Sequence, residues 1–312
     1  MAQQSGAAVA APGSSSSSAR LTDGALALGR LCNSDPLQWW KAWATEVAPR
    51  TGAAGGVIGL ILVTSTMPQV VSTSDGKMPK LTPSMWGRMV FRIWPVAGGL
   101  KAAQYTVLRE MKFGLDGAGC HPGVSTMLSF GVIGTLFQSV IYNTLIAEMY
   151  KAMTGEVKKA PSVAALVQGV KPGILWCFGR ECGAMGGGMY LGPMVKVRMS
   201  SALSDGNGGH SIFGLPVSEG VMRFSSGFTS GACTAFGTQG MHNISLIAGR
   251  MAAKAEPVGA PYYTAASATT AYKELGLSLF YINYPQRMCL IAGAVALLNM
   301  CDIFHRPELR MI

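Results

Sequence analysis

Four charged residues stand inside otherwise apolar stretches of the chain: Arg92, Arg180, Glu181 and Arg287. A charge within an apolar segment of membrane length costs a few kcal/mol and is a functional candidate for that reason. Arg180 and Glu181 are adjacent and of opposite sign, which suits the two charged ends of an amino-acid-like solute. The competing reading is an Arg–Glu contact that neutralises itself, or an arginine whose head reaches lipid headgroups along its apolar stem. Lys101 admits both readings, site charge or helix-end snorkel. The run Gly183-Ala184-Met185-Gly186-Gly187-Gly188 could widen a cavity, but small residues more often permit tight helix packing.

Enzyme chemistry finds no support in the spacing. The three glycines at 186–188 lie inside an apolar segment with no following Lys-Ser/Thr, so they are not a phosphate loop. Nothing in the order of Ser, His and Asp brings a nucleophile to a base. The seven cysteines (32, 120, 177, 182, 233, 289, 301) contain no Cys-x-x-Cys pair and mostly sit in apolar surroundings. That pattern implies neither a disulfide scaffold nor a metal cluster, and four scattered histidines add no ligand spacing. His121 and His242 read as helix-end or interface residues. The expectation is a non-enzyme without metal or cofactor.

What positions these charges is a set of apolar helices. The chain has 312 residues, 49% hydrophobic and only 13% charged, roughly half the charge of a soluble domain. Its mean hydropathy is +0.31. Stretches 51–74, 117–147 and 224–249 carry no charged residue, and each exceeds the ~20 residues an α-helix needs to cross a bilayer. The reading is an all-α membrane protein with six transmembrane helices at about 51–72, 84–112, 123–152, 172–199, 221–253 and 277–304. The net charge of +10 is spread through links and helix ends, which fits membrane lipids, anionic ones such as cardiolipin included, and not nucleic acid.

Residues 1–50 differ: they form an Ala/Ser-rich N-terminal extension with a serine run at 14–18 and no acid before Asp23. Such a composition resembles a mitochondrial transit peptide, though arginines are few and no amphipathic face is evident. The alternative is a flexible extension that another protein orders. Trp39, Trp40 and Trp43 fall on a short candidate helix at spacings suited to an interfacial belt.

Two matched stretches reveal a repeat. Residues 142–151 contain Leu145-Ile146-Ala147, and residues 243–252 contain Leu246-Ile247-Ala248, each after a long glycine-rich segment. The links alternate between polar ones leading to short surface helices (161–168 and 264–275) and Gly-rich turns (114–122 and 200–216). Three two-helix units follow, at 51–116, 117–216 and 217–312.

That organisation resembles the mitochondrial carrier family, over nearly everything from 51 to 306. In the family, odd helices carry Pro-x-Asp/Glu-x-x-Lys/Arg, whose proline kinks the helix and whose charges pair to close one side. Here only Pro68 survives. The acid positions hold Val70, Thr144 and Ser245; the basic positions hold Thr73, Ala147 and Ala248. Even helices match better. Arg92-Ile93-Trp94-Pro95 fits the Arg-before-Pro pattern, Arg109 and Lys196 fill basic positions, and Arg287 lies near Pro285. Their acids are replaced, by Thr106 in the second helix and by Gly192-Pro193 in the fourth.

The resemblance implies a multi-pass protein of the mitochondrial inner membrane. Arg92, Arg180, Glu181 and Arg287 become candidate solute contacts, and Pro68, Thr144, Ala147, Ser245 and Ala248 mark degenerate gate positions. An alternating-access carrier needs two gates that break and reform. With one ring stripped of acids and bases, the favoured expectation is a structural, accessory subunit of a large inner-membrane assembly such as a respiratory-chain complex, its partners the other subunits. The alternative is an active solute carrier for an amino-acid-like or carboxylate substrate.

Overall fold

The computed structural model describes residues 36–66, 82–154, 174–204, 210–212, 215–254, 264–282 and 284–304. Its architecture is all-α apart from one small hairpin. α1 (Pro36–Ala42) continues through a π-helical turn, Trp43–Val47, into α2 (Ala48–Ile61), which ends in a second π turn, Leu62–Thr66. α3 (Pro83–Arg88) leads through the π turn Met89–Ile93 into α4 (Trp94–Gly117), and α5 (Pro122–Thr154) follows. α6 (Ile174–Glu181) joins α7 (Gly187–Ala202) through the π turn Cys182–Gly186. After the hairpin β1 (Ser211–Ile212) and β2 (Leu215–Pro216) come α8 (Glu219–Gly237) and α9 (Gln239–Lys254). Then come α10 (Thr264–Leu275), a 3₁₀ turn at Gly276–Phe280, and α11 (Tyr284–Cys301).

Local chemistry accounts for the boundaries. Thr82 caps α3 by accepting from the Met85 N–H at 3.4 Å, with Pro83 pre-set for the first helical position. Ser218 does the same for α8 through the Val221 N–H, and Glu219 complements the positive helix start. Gly119, at φ 85°, ends α4: the Cys120 N–H reaches back to the Leu115 carbonyl at 3.0 Å, and Pro122 opens α5.

Two expectations need correction. The helix expected at 221–253 is broken at Thr238, where φ −109° and ψ 8° leave the helical region. Without a proline, the break survives because its freed acceptors find a donor in Arg287, described below. The helix expected at 277–304 begins only at Tyr284, because Pro285 lacks an N–H and its ring would clash with the carbonyl four residues earlier. The surface helix at 264–275 is present as α10. Residues 161–168 lie outside the described residues, as does the extension up to residue 35. The 200–216 link holds an antiparallel hairpin pairing Ser211 with Pro216 and Ile212 with Leu215, with a further bridge from Ser204 to His210.

Packing follows chain order. α2 lies on α4, α4 on α5, α5 on α6, α6 on α9, α7 on α8, α8 on α11, and α11 returns to α2. Glycines set the closest crossings. A Cβ on Gly55 would sit 2.5 Å from the Ala102 nitrogen, and one on Gly59 would sit 2.6 Å from the Gly98 nitrogen. Gly227 and Gly231 meet Ala296 and Ala292 in the same way, each at 2.8 Å from a Cα. The Gly-x-x-x-Gly pair of α2 is thus repeated in α8. Hydroxyls bridge α8 to α7: Ser230 donates to the Gly188 carbonyl at 2.9 Å and Thr234 to the Ala184 carbonyl at 2.8 Å. Such side chain to backbone bonds suit helices that have no water between them.

Among the described residues, one helix, Trp40–Thr64, is both long and apolar enough to cross a membrane, and Arg287–Cys301 is apolar but shorter. Large apolar side chains nevertheless face outward around the bundle. They include Val57, Val96, Met127, Leu191, Met194, Phe224 and Met300. Many polar side chains are buried.

Candidate functional site

The interior polar cluster begins where α6 ends. Arg180 and Glu181 occupy its last turn, just before the π turn at Cys182–Gly186, and both are buried. Arg180 donates to Glu181 Oε1 from Nε at 2.9 Å and from Nη2 at 2.7 Å. Nη2 also reaches Gln138 Oε1 of α5 at 3.0 Å and Cys177 Sγ at 3.2 Å. Nη1 faces α9, 3.4 Å from His242 Nδ1 and 3.5 Å from Ser245 Oγ. Among the described residues, five neighbours from three helices therefore stand around one guanidinium. Glu181 packs on Gly134 so closely that a Cβ there would lie 3.1 Å from Oε2.

Arg287 builds a second centre at the α8–α9 break. Its Nη2 donates to Thr238 Oγ1 at 2.8 Å, and its Nη1 donates to the Ala235 carbonyl and, at 3.3 Å, to Gln239 Oε1. Gln239 in turn donates to the Ile282 carbonyl at 2.7 Å, and Asn243 donates to the Leu279 carbonyl at 2.7 Å. The orphaned acceptors of a helix C-terminus and of the turn before α11 are satisfied by these three side chains. Lys101, from α4, is buried and donates to Gln104 Oε1 at 2.9 Å. Of the buried charges among the described residues, Arg109 pairs with the half-exposed Glu110; the remaining set, Lys101, Arg180, Glu181 and Arg287, carries +3 − 1 = +2 when all are ionised.

The positions expected from the sequence separate clearly. Arg180, Glu181 and Ser245 come together, and Arg287 stands beside them with its own partners. Arg92 does not join: it is exposed on the π turn of Met89–Ile93. The buried stripe of this rod runs through Met89, Ile93, Ala97, Lys101, Tyr105 and Leu108, and Arg92 falls one residue, about 100° of helix rotation, off it. Ala248 is fully buried. Thr144 and Ala147 lie in α5, but their side chains are outside the described residues, as is Pro68.

Sequence reasoning passed over Gln104, Gln138, Thr238, Gln239 and Asn243 as polar contacts; His242, read as a helix-end or interface residue, lies in the first turn of α9 where it faces Arg180 of α6. A signal was present in the amides, since Gln138, Gln239 and Asn243 interrupt charge-free stretches. A buried amide needs partners as a charge does. Among the described residues, no group of His, Cys, Asp and Glu could hold a metal ion.

Compared with family models, with curated proteins and with solved structures, the chain finds no match.

Proposed function

We propose that this chain is a membrane-embedded, six-helix protein of mitochondrial-carrier type that serves as a structural subunit of a large inner-membrane assembly. A respiratory-chain complex is the kind of assembly meant, and transport has been lost. The observation that carries the reading is how the interior charges are used. Arg180 is taken up by Glu181, Gln138 and α9, and Arg287 by the carbonyl and hydroxyl acceptors of a helix break. A transport site keeps such groups available for a solute; here they hold the protein together.

The gate positions support the same reading. Ser245 and Ala248 carry no charge, and a latch between helices needs charges of both signs. Membrane embedding is supported by the outward-facing Val57, Val96, Met127, Leu191, Phe224 and Met300, while Lys101, Arg180, Glu181 and Arg287 lie buried within the bundle. A water-soluble helical protein would place its polar side chains outside. The repeat is supported by the shared glycine crossings of α2 on α4 and α8 on α11. Membrane lipids, cardiolipin among them, and neighbouring subunits are the partners this implies.

Native purification in mild detergent tests the proposal. The chain is expected in a stable large complex; recovery only as a species of about 33 kDa would sink the idea.

A second reading, an active carrier for an amino-acid-like or carboxylate solute, is favoured by the +2 charge of the buried set. Reconstitution into liposomes with labelled amino acids and carboxylates decides it: uptake abolished by Arg180→Ala would establish transport.

A further inference from the structure

The end of the bundle where α4, α7 and α11 finish also carries a set of contacts that the interior site does not explain. Asp302 follows α11 at φ 50°, a left-handed conformation in which Asp is one of the tolerated residues. It reverses the chain much as Gly119 does after α4, and the Ile303 N–H returns to the Leu298 carbonyl at 3.4 Å. The reversal folds Ile303 and Phe304 back against the bundle. Ile303 is 2% exposed and belongs to the interior apolar core with Tyr105, Leu108, Phe130 and Leu298. Phe304 meets the rings of Phe113 on α4 and Phe130 on α5 edge to face, each at 6.3 Å, and Lys112 lies 5.1 Å from its centre.

Charges hold this turn from the other side. Asp302 Oδ2 pairs with Arg223 of α8 at 3.2 Å and with Arg50 of α2 at 3.6 Å. Arg223 also donates to Glu219 Oε1 at 2.9 Å, and Glu219 pairs with Lys196 of α7. One three-residue turn is therefore tied directly to α2, α4, α5 and α8, and through two further pairs to α7.

We propose that the turn Asp302-Ile303-Phe304 is a built-in plug that keeps this end of the bundle shut, with Asp302 as its latch. It stands at the end where the carrier-like charge pattern has lost its acids to Thr106 and Gly192-Pro193, and it replaces a ring of reversible pairs by an apolar wedge. The inference rests on the carrier-type part of the proposed function and goes beyond it, because it concerns closure of the bundle and not its surroundings or partners.

The test uses the full chain in detergent, with Ala294→Cys as a reporter. Ala294 is 6% exposed in the same apolar core, about 12 Å of helix rise below Asp302. Maleimide labelling is followed at each cysteine by peptide mass spectrometry. Relative to Ala294→Cys alone, adding Asp302→Asn and Phe304→Ala together is expected to raise the reporter's labelling rate at least tenfold. Asp302→Asn alone should raise it two- to fivefold, and Phe304→Leu, which refills the wedge, should leave it unchanged. At 1 M salt, where exposed pairs are screened, the Ala294→Cys protein should approach the Asp302→Asn rate. Equal rates in all variants overturn the plug. If Phe304→Ala raises labelling at every cysteine alike, the fold has been lost, and Asp302→Asn decides: no rise at the reporter overturns the proposal.

Discussion

Two charge networks occupy different depths of the same bundle. The one around Arg180 and Glu181 is buried and short-ranged, with both side chains under a tenth exposed. The one around Glu219, Arg223 and Asp302 is about one-third to one-half exposed and spans several helices. Burial makes the first costly to disturb, since removing one partner strands an unpaired charge. Exposure makes each pair of the second weak, because water and salt screen it. The inner network therefore determines whether the fold holds, and the outer one determines how firmly one end stays closed.

Removing the acid from the inner network tests that contrast most severely. Glu181→Gln leaves Arg180 and Lys101 as buried cations without it, and is expected to destabilise the protein by about 3–5 kcal/mol. The double variant Arg180→Met/Glu181→Met should recover most of that loss in thermal melts. A single variant as benign as the double would show that the cluster is not neutralised from within.

Helix crossings come next. Gly55→Leu drives a side chain into the Ala102 backbone and should cost roughly 1–3 kcal/mol or more. Gly52→Leu, one turn away in open space, should leave the melting temperature nearly unchanged. Equal effects would mean that the α2–α4 contact is looser than described.

Arg287→Met removes the donors at the α8–α9 break, leaving the Ala235 carbonyl and Thr238 short of a partner. A loss of about 2 kcal/mol is expected. Hydrogen exchange should rise first at residues 235–243, and a uniform rise across the chain would argue against a capping role.

The smallest effect belongs to the outer network. Glu219, exposed at the start of α8 and outside the apolar stretch 224–249, has its carboxyl held below the usual range by the Lys196 ammonium and then by Arg223. Its folded pKa is depressed, so its contribution is present above the ordinary carboxylate range and is lost as pH falls through the folded value. After screening, that contribution is no more than about 0.5 kcal/mol. Glu219→Gln should erase this part of the acid dependence of the melting temperature and leave neutral-pH stability almost unaltered.

Much of the helix placement was legible because apolar runs of the right length leave the backbone few alternatives to helix. The runs at 123–152 and 172–199 lie within a few residues of α5 and of α6 through α7. Arg180 and Glu181 were legible as a site because charges in such runs are rare. Arg92 was not legible as an outsider, since its exposure depends on its angle from the buried stripe at Ile93 and Ala97. The break at Thr238 was hidden as well: the group that stabilises it, Arg287, is 49 residues further along the chain.

By residue order alone, the chain determined that it is helical, that its helices pair through glycines, and that a few charges must lie among apolar neighbours. Those properties follow from composition and from spacing along one strand of backbone. Only the tertiary structure decided what the charges do. Arg180 closes on Glu181, Arg287 caps a broken helix, and Asp302 ties α11 to α2 and α8. Each depends on which atoms come within about 3 Å of a charged group, the reach of a hydrogen bond, and distance across a bundle is not written in sequence separation.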